Sequence, residues 1–102
     1  MNAKPLFLPL MRRYFDAFAR GEKHTEFRQV SKRWNLDKVT VGRPVTLSSG
    51  YGSHSRLQGI VESVKVAHSS TLPEEDRTAV LECYGGDVEL ICIGIKIDRQ
   101  EV

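Results

Sequence analysis

The chain is poor in most features that would assign it a compartment or a chemistry. No apolar run in its 102 residues approaches the ~20 needed to cross a bilayer as a helix. The opening Met1-Asn2-Ala3-Lys4-Pro5 lacks the apolar stretch and small-residue cleavage site of a secretory signal. There are only two cysteines, Cys83 and Cys92, and their spacing matches no metal or redox motif. The histidines, His24, His54 and His68, are scattered, so no ligand spacing points to a metal. These absences argue against a membrane span, a disulfide framework and a metal or other cofactor. They leave a cytoplasmic protein with a reduced, buried Cys92 as the expectation. Internal repeats and low-complexity segments are also missing.

The length fits one domain over residues 1–102, enough to bury roughly two-thirds of the unfolded surface around a single core. The formal net charge is +2, but it is unevenly spread. Residues 1–56 hold eleven Lys/Arg against four Asp/Glu, and residues 57–102 hold four against nine. A basic half suggests an anionic partner, with nucleic acid foremost. Intermixing of the two halves on one small surface would cancel the asymmetry.

Hydrophobic periodicity places the elements. Leu6-Phe7-Leu8 reads as a buried strand that Pro9 ends while opening a helix. Met11, Tyr14, Phe15 and Phe18 form one apolar stripe of that helix, and Gly21 stops it. The period then changes towards two, with Thr25 and Phe27 opposing Glu26 and Arg28. Ser31 to Lys38 reads as a loop or single helical turn, and Gly42-Arg43-Pro44 as a turn before a strand at Val45 to Ser48. Leu57 to Ala67 is a long strand, with Gly59 marking a bulge or bend. Thr71 and Glu74 fit a capping box. The helix after it carries Asp76, Ala79, Val80 and Cys83 on one face and ends at Gly85-Gly86. Val88 to Asp98 is apolar on both faces, as in a strand covered on both sides. The order β-α-β-β-β-α-β, with two helices for five strands, predicts an α+β fold with a curled or barrel-like mixed or antiparallel sheet.

A strand ending Leu-Pro-Leu, a helix with Tyr14-Phe15, Gly21-x-Lys23-x-x-Glu26-x-Arg28, then Trp34, a Gly42 turn and Gly50-Tyr51-Gly52 resemble the ASCH domain. The likeness runs from about residue 5 to 67, includes the last strand, and is greatest to the short stand-alone ASCH proteins of bacteria and phages. It implies a PUA-like pseudo-barrel and RNA binding in a cleft beside the Lys/Arg strand. One branch of that family is an amidohydrolase acting on N4-acetylcytidine with a Lys, a Thr and a Glu, and other members resemble ribonucleases. Its Lys falls on Lys23, but its Thr falls where this chain has Glu26, with Thr25 one position off. Glu74 or Glu75 would have to stand in for its acid.

The candidate site follows from both readings. Lys23, Arg28, Arg33, Trp34, Tyr51, Ser53 and Arg56 are the candidates for holding RNA or a nucleotide. Cations would neutralise phosphate, and Trp34 and Tyr51 would stack bases. Lys23 and Glu26 are the candidates for catalysis, if the cleft hydrolyses a modified nucleoside or RNA. Lys23, Glu26 and Arg28 are expected to share one cleft with Tyr51, and Thr25 to point to the opposite face, into the core beside Phe27. An ordinary surface ion pair, a Trp34 that merely lids the core and a simple turn at Tyr51 are the plainer alternatives. A third reading is a protein-interaction module whose basic half docks on an acidic partner.

Overall fold

A computed structural model of the chain describes residues 4–51 and 55–98. Five strands, β1 (Leu6–Leu10), β2 (Thr25–Gln29), β3 (Pro44–Ser49), β4 (Arg56–His68) and β5 (Glu89–Ile97), form one sheet. Helix α1 (Arg12–Ala19) lies between β1 and β2, and α2 (Glu74–Tyr84) lies between β4 and β5. The strand order is β1-β3-β4-β5-β2, antiparallel except for the parallel pair β1/β3. The sheet curls into a half-barrel, the α+β architecture expected. Its two edge strands, β1 and β2, flank an open seam. No helix among the described residues is long and apolar enough to cross a membrane.

Strand β5 explains how two helices suffice. Its Ile91, Ile93 and Ile95 point into the main core with Leu8, Leu47, Val61 and the α1 residues Phe15 and Phe18. Leu90 and Cys92 point to the other face, against Val80 of α2, with Phe27 packed alongside. Each fully buried Leu or Ile contributes about 1.5–3 kcal/mol relative to an exposed one, so both faces of this strand reward coverage.

Some local expectations shift. Pro9 does not end β1; the strand runs on to Leu10 and α1 starts at Arg12. β1 is an edge strand, where a missing N–H costs nothing on the unpaired side. Met11 is the N-cap and largely exposed, so Tyr14, Phe15 and Phe18 carry the apolar stripe alone. The capping box does not form. Thr71 sits in a short 3-10 turn, Ser69–Thr71, where its hydroxyl donates to the His68 carbonyl at 2.8 Å, and Pro73 becomes the N-cap. A cap at Thr71 would need Leu72 to be helical, and the following proline holds it extended. The bulge of β4 lies between Val61 and Ser63 rather than at Gly59.

Candidate functional site

The seam between the sheet edges holds a cleft of about 230 Å³. It runs along the unpaired edge of β2, with Pro9, Leu10 and Tyr14 on one side and α2 on the other. Lys23, Glu26 and Arg28 all line it. Tyr51 does not.

Lys23 reaches the cleft because of how α1 ends. Gly21 takes the left-handed conformation (φ 77°) just past the C-cap Arg20. Its N–H donates to the Phe18 carbonyl (3.1 Å), and the Glu22 N–H donates to the Ala17 carbonyl (2.9 Å). This paired closure is a Schellman motif, which reverses the chain within two residues. The Lys23 ammonium then lies 5.5, 5.6 and 5.4 Å from the ring centroids of Tyr14, Phe18 and Phe27. Each ring attracts it by about 0.5–2 kcal/mol without neutralising its charge. Among the described residues no carboxylate pairs with it, whereas Arg12, Arg20, Arg28 and Arg77 each have one.

Strand alternation brings Glu26 and Arg28 to one face. In the pairing with β5 they stand opposite Ile93 and Ile91, so both point towards the concave, main-core side. Glu26 is buried, and its Oε2 accepts from Arg28 at 3.0 Å (Nε) and 2.9 Å (Nη2). The same guanidinium donates to the Pro9 carbonyl at 2.8 Å. Thr25 is on the opposite face as expected, in register with Gly94. That face is the one packed on α2, so its neighbour Phe27 belongs to the smaller cluster rather than to the main core.

Helix α2 supplies the wall that the sequence reading undervalued. Asp76, Ala79, Val80 and Cys83, the face predicted for this helix, line the cleft together with Tyr84. The carboxylate that α2 adds to the cleft, beside that of Glu26, is therefore Asp76; Glu74 and Glu75 are exposed and do not line it. α2 is held by Asp87, which accepts from the Arg77 guanidinium at 3.0 and 2.6 Å and from the buried Ser69 hydroxyl at 2.8 Å. The Arg77 hydrogen bonds, with that of Ser69, lower the Asp87 carboxyl to about 2. Burial pushes the Cys92 thiol up, and neither Cys92 nor Cys83 is in a disulfide.

The other candidates gather elsewhere. Arg33 and Trp34 line a second hollow, of about 220 Å³, with Lys38, Arg43 and Phe7. The loop that carries them is built from side-chain bonds: the Ser31 hydroxyl accepts from the N–H groups of Arg33 and Trp34, and the Asn35 side-chain Oδ1 accepts from those of Asp37 and Lys38. Arg28 stacks on Trp34 from the cleft side, 5.2 Å from the ring centroid. Tyr51 is 85% exposed and tilts against Phe7 at 6.3 Å, while Arg56 lies 5.2 Å over the same Phe7 ring. The expected convergence of Tyr51 with Lys23 does not occur, since Tyr51 lines neither hollow and packs instead on Phe7, which alternates with the buried leucines of β1. Ser53 lies outside the described residues. Lys38, Arg43 and Phe7 were not anticipated; a basic residue every few positions from Arg28 to Arg43 was the available signal.

No protein-family model matches the chain, and no curated protein matches it either. No group of three or more metal-ligating side chains occurs among the described residues.

Proposed function

We propose that the chain is an RNA- or nucleotide-binding domain of the ASCH type, with the seam cleft as its ligand site. One observation carries this reading: the unpaired Lys23 ammonium inside an aromatic-walled cleft, beside the buried Glu26–Arg28 pair. Lys23 supplies a positive charge for a phosphate or a base carbonyl. Glu26 uses Oε2 for Arg28, so its other oxygen is an acceptor for an exocyclic amino group. Tyr14 and Tyr84 give the cleft amphipathic walls suited to a base. The half-barrel fold agrees with the ASCH resemblance. Cytoplasmic RNA is the corresponding partner.

The test is fluorescence anisotropy with a labelled ten-nucleotide single-stranded RNA and with ribonucleoside monophosphates as competitors. A charge-assisted contact is worth about 1.5–3 kcal/mol, so Lys23→Ala should weaken binding roughly ten- to hundredfold. Wild type that binds neither RNA nor nucleotide refutes the reading.

A hydrolytic use of the same cleft is the second reading, favoured by an amine and a carboxylate lining one cavity. Thr25, on the other face, has no part in it. Turnover of N4-acetylcytidine or single-stranded RNA that is lost in Lys23→Ala and Glu26→Gln, but kept in Thr25→Val, supports this use. No turnover by wild type leaves binding alone.

A further inference from the structure

We infer that the ligand is a polymer rather than a free nucleotide: a single strand of RNA that runs from the cleft past Arg28 into the hollow around Trp34. This rests on the cleft reading and names the substrate class for it. The second hollow is lined by Arg33, Lys38 and Arg43 with no carboxylate among its lining residues. Three cations around one concavity repel each other, and a chain of phosphates relieves that repulsion. Two of them, Arg33 and Lys38, are exposed. Arg43 is fixed by hydrogen bonds to the carbonyls of Lys4 (3.0 Å) and Lys38 (2.5 Å). Both acceptors are neutral, so its charge stays uncompensated.

Two features join the hollow to the cleft. Arg28 lines the cleft and lies on the Trp34 ring, which lines the hollow and receives Arg33 on its ring at 5.7 Å. Strand β1 also spans both, with Leu6 and Phe7 at the hollow and Pro9 and Leu10 at the cleft. At about 3.3 Å per residue, the two openings are on the order of 10 Å apart along the strand. From the half-buried Phe7 at the hollow, the exposed Tyr51 and Arg56 continue as a ring-and-cation surface, the combination on which successive bases of a single strand stack. A mononucleotide occupies the cleft alone. A strand of about four or more nucleotides engages several at once, and linked contacts multiply affinity.

The experiment compares the ten-nucleotide RNA with the ribonucleoside monophosphates, using wild type, Arg33→Ala/Lys38→Ala and Lys23→Ala. Both groove side chains are exposed, so the double variant is not expected to disturb the fold, and circular dichroism checks this. Each phosphate neutralised on a single strand contributes about −0.7 to the slope of log affinity against log salt, so the double variant should flatten the slope for the RNA by about 1.4. It should weaken the RNA at least tenfold and leave monophosphate binding unchanged. Lys23→Ala should weaken both ligands. An RNA slope unchanged in the double variant overturns the polymer path while the cleft reading stands. RNA binding that needs Arg33 and Lys38 but not Lys23 supports the hollow as an RNA contact and refutes the cleft. RNA that fails to bind while an acidic peptide binds through Arg33 and Lys38 overturns both in favour of a protein partner.

Discussion

Arg28 of β2 donates to the Pro9 carbonyl of β1 at 2.8 Å, and so ties together the two edge strands that the sheet leaves unpaired. A proline places its carbonyl on that open side with no N–H beside it, and the planar guanidinium has donors to spare for Glu26. At the cleft this side-chain bridge stands where a closed sheet would have a backbone ladder.

Removal of that bridge should be costly. Arg28→Ala strands the buried Glu26 carboxylate and drops the Pro9 and Trp34 contacts. Arg28 keeps 21% of its side chain exposed, so the loss is somewhat below that of a fully buried pair, about 2–4 kcal/mol. For a domain of this size each kcal/mol lowers Tm by about 4–8 °C. Arg28→Lys should recover only part, because an ammonium cannot fork between a carboxylate and a carbonyl. Urea denaturation of Arg28→Ala, Glu26→Gln and the double variant should give a coupling of about 1–3 kcal/mol. Additive effects would mean that the two side chains do not stabilise each other.

Gly59 tests a different contact between strands. A Cβ there would lie 2.5 Å from the Lys96 carbonyl oxygen, a backbone atom in the paired strand β5. Gly59→Ala must push β4 from β5, at about 1–3 kcal/mol, the usual cost of overpacking. Gly86→Ala, which meets nothing within 4 Å, is the control and should change stability little. Equal thermal shifts for both would mean that the two strands separate freely at this point.

Much of this architecture is legible in the residues. The apolar alternation of Ile91, Ile93 and Ile95 against Leu90 and Cys92 announces a strand covered on both faces, and Gly21 and Gly85 announce helix ends. Local patterns of this kind report local structure. The Glu26–Arg28 pair is legible for the same reason, since alternation alone puts both on one face. What escaped depends on contacts between residues distant in sequence. The bond from Arg28 to Pro9 spans nineteen residues and follows from the curl of the sheet, which periodicity does not encode. Helical periodicity puts Asp76 on one face with Ala79, Val80 and Cys83, but only packing brings that face to the cleft that Lys23 also lines. Tyr51 misled because a Gly-Tyr-Gly loop states a freedom of conformation and not a direction.

The two cysteines give a chemical probe of the cleft. Cys83 is exposed and lines it, whereas Cys92 is buried beneath α2 with its thiol shifted up by burial. A thiol reagent at neutral pH should therefore modify one equivalent quickly and the second only after denaturation. A saturating ten-nucleotide RNA should slow modification of Cys83. Fast reaction of both thiols in the native protein would show that α2 lifts from the sheet.

Acid stability should report the clasp on α2. The Asp87 carboxyl titrates at about 2 in the folded chain, lowered first by its hydrogen bonds from Arg77 and then by that from Ser69. In the unfolded chain it returns to the ordinary value near 4. The unfolded state therefore takes up the proton first as pH falls. Its contribution to stability is complete above about pH 4 and is lost as pH drops towards 2. Asp87→Asn keeps an acceptor for Ser69 but not the charge that Arg77 needs. At pH 7 it should unfold at lower urea than wild type, with the gap between the two closing from pH 4 to pH 2. Other carboxylates titrate in the same range in both proteins, so the difference between the two curves isolates this one. A gap that stays constant down to pH 2 would mean that shape, rather than the ionised carboxylate, holds α2 against the sheet. If the clasp positions the cleft wall, the asparagine variant should also weaken the ten-nucleotide RNA at pH 7, where the wild-type carboxylate is fully charged.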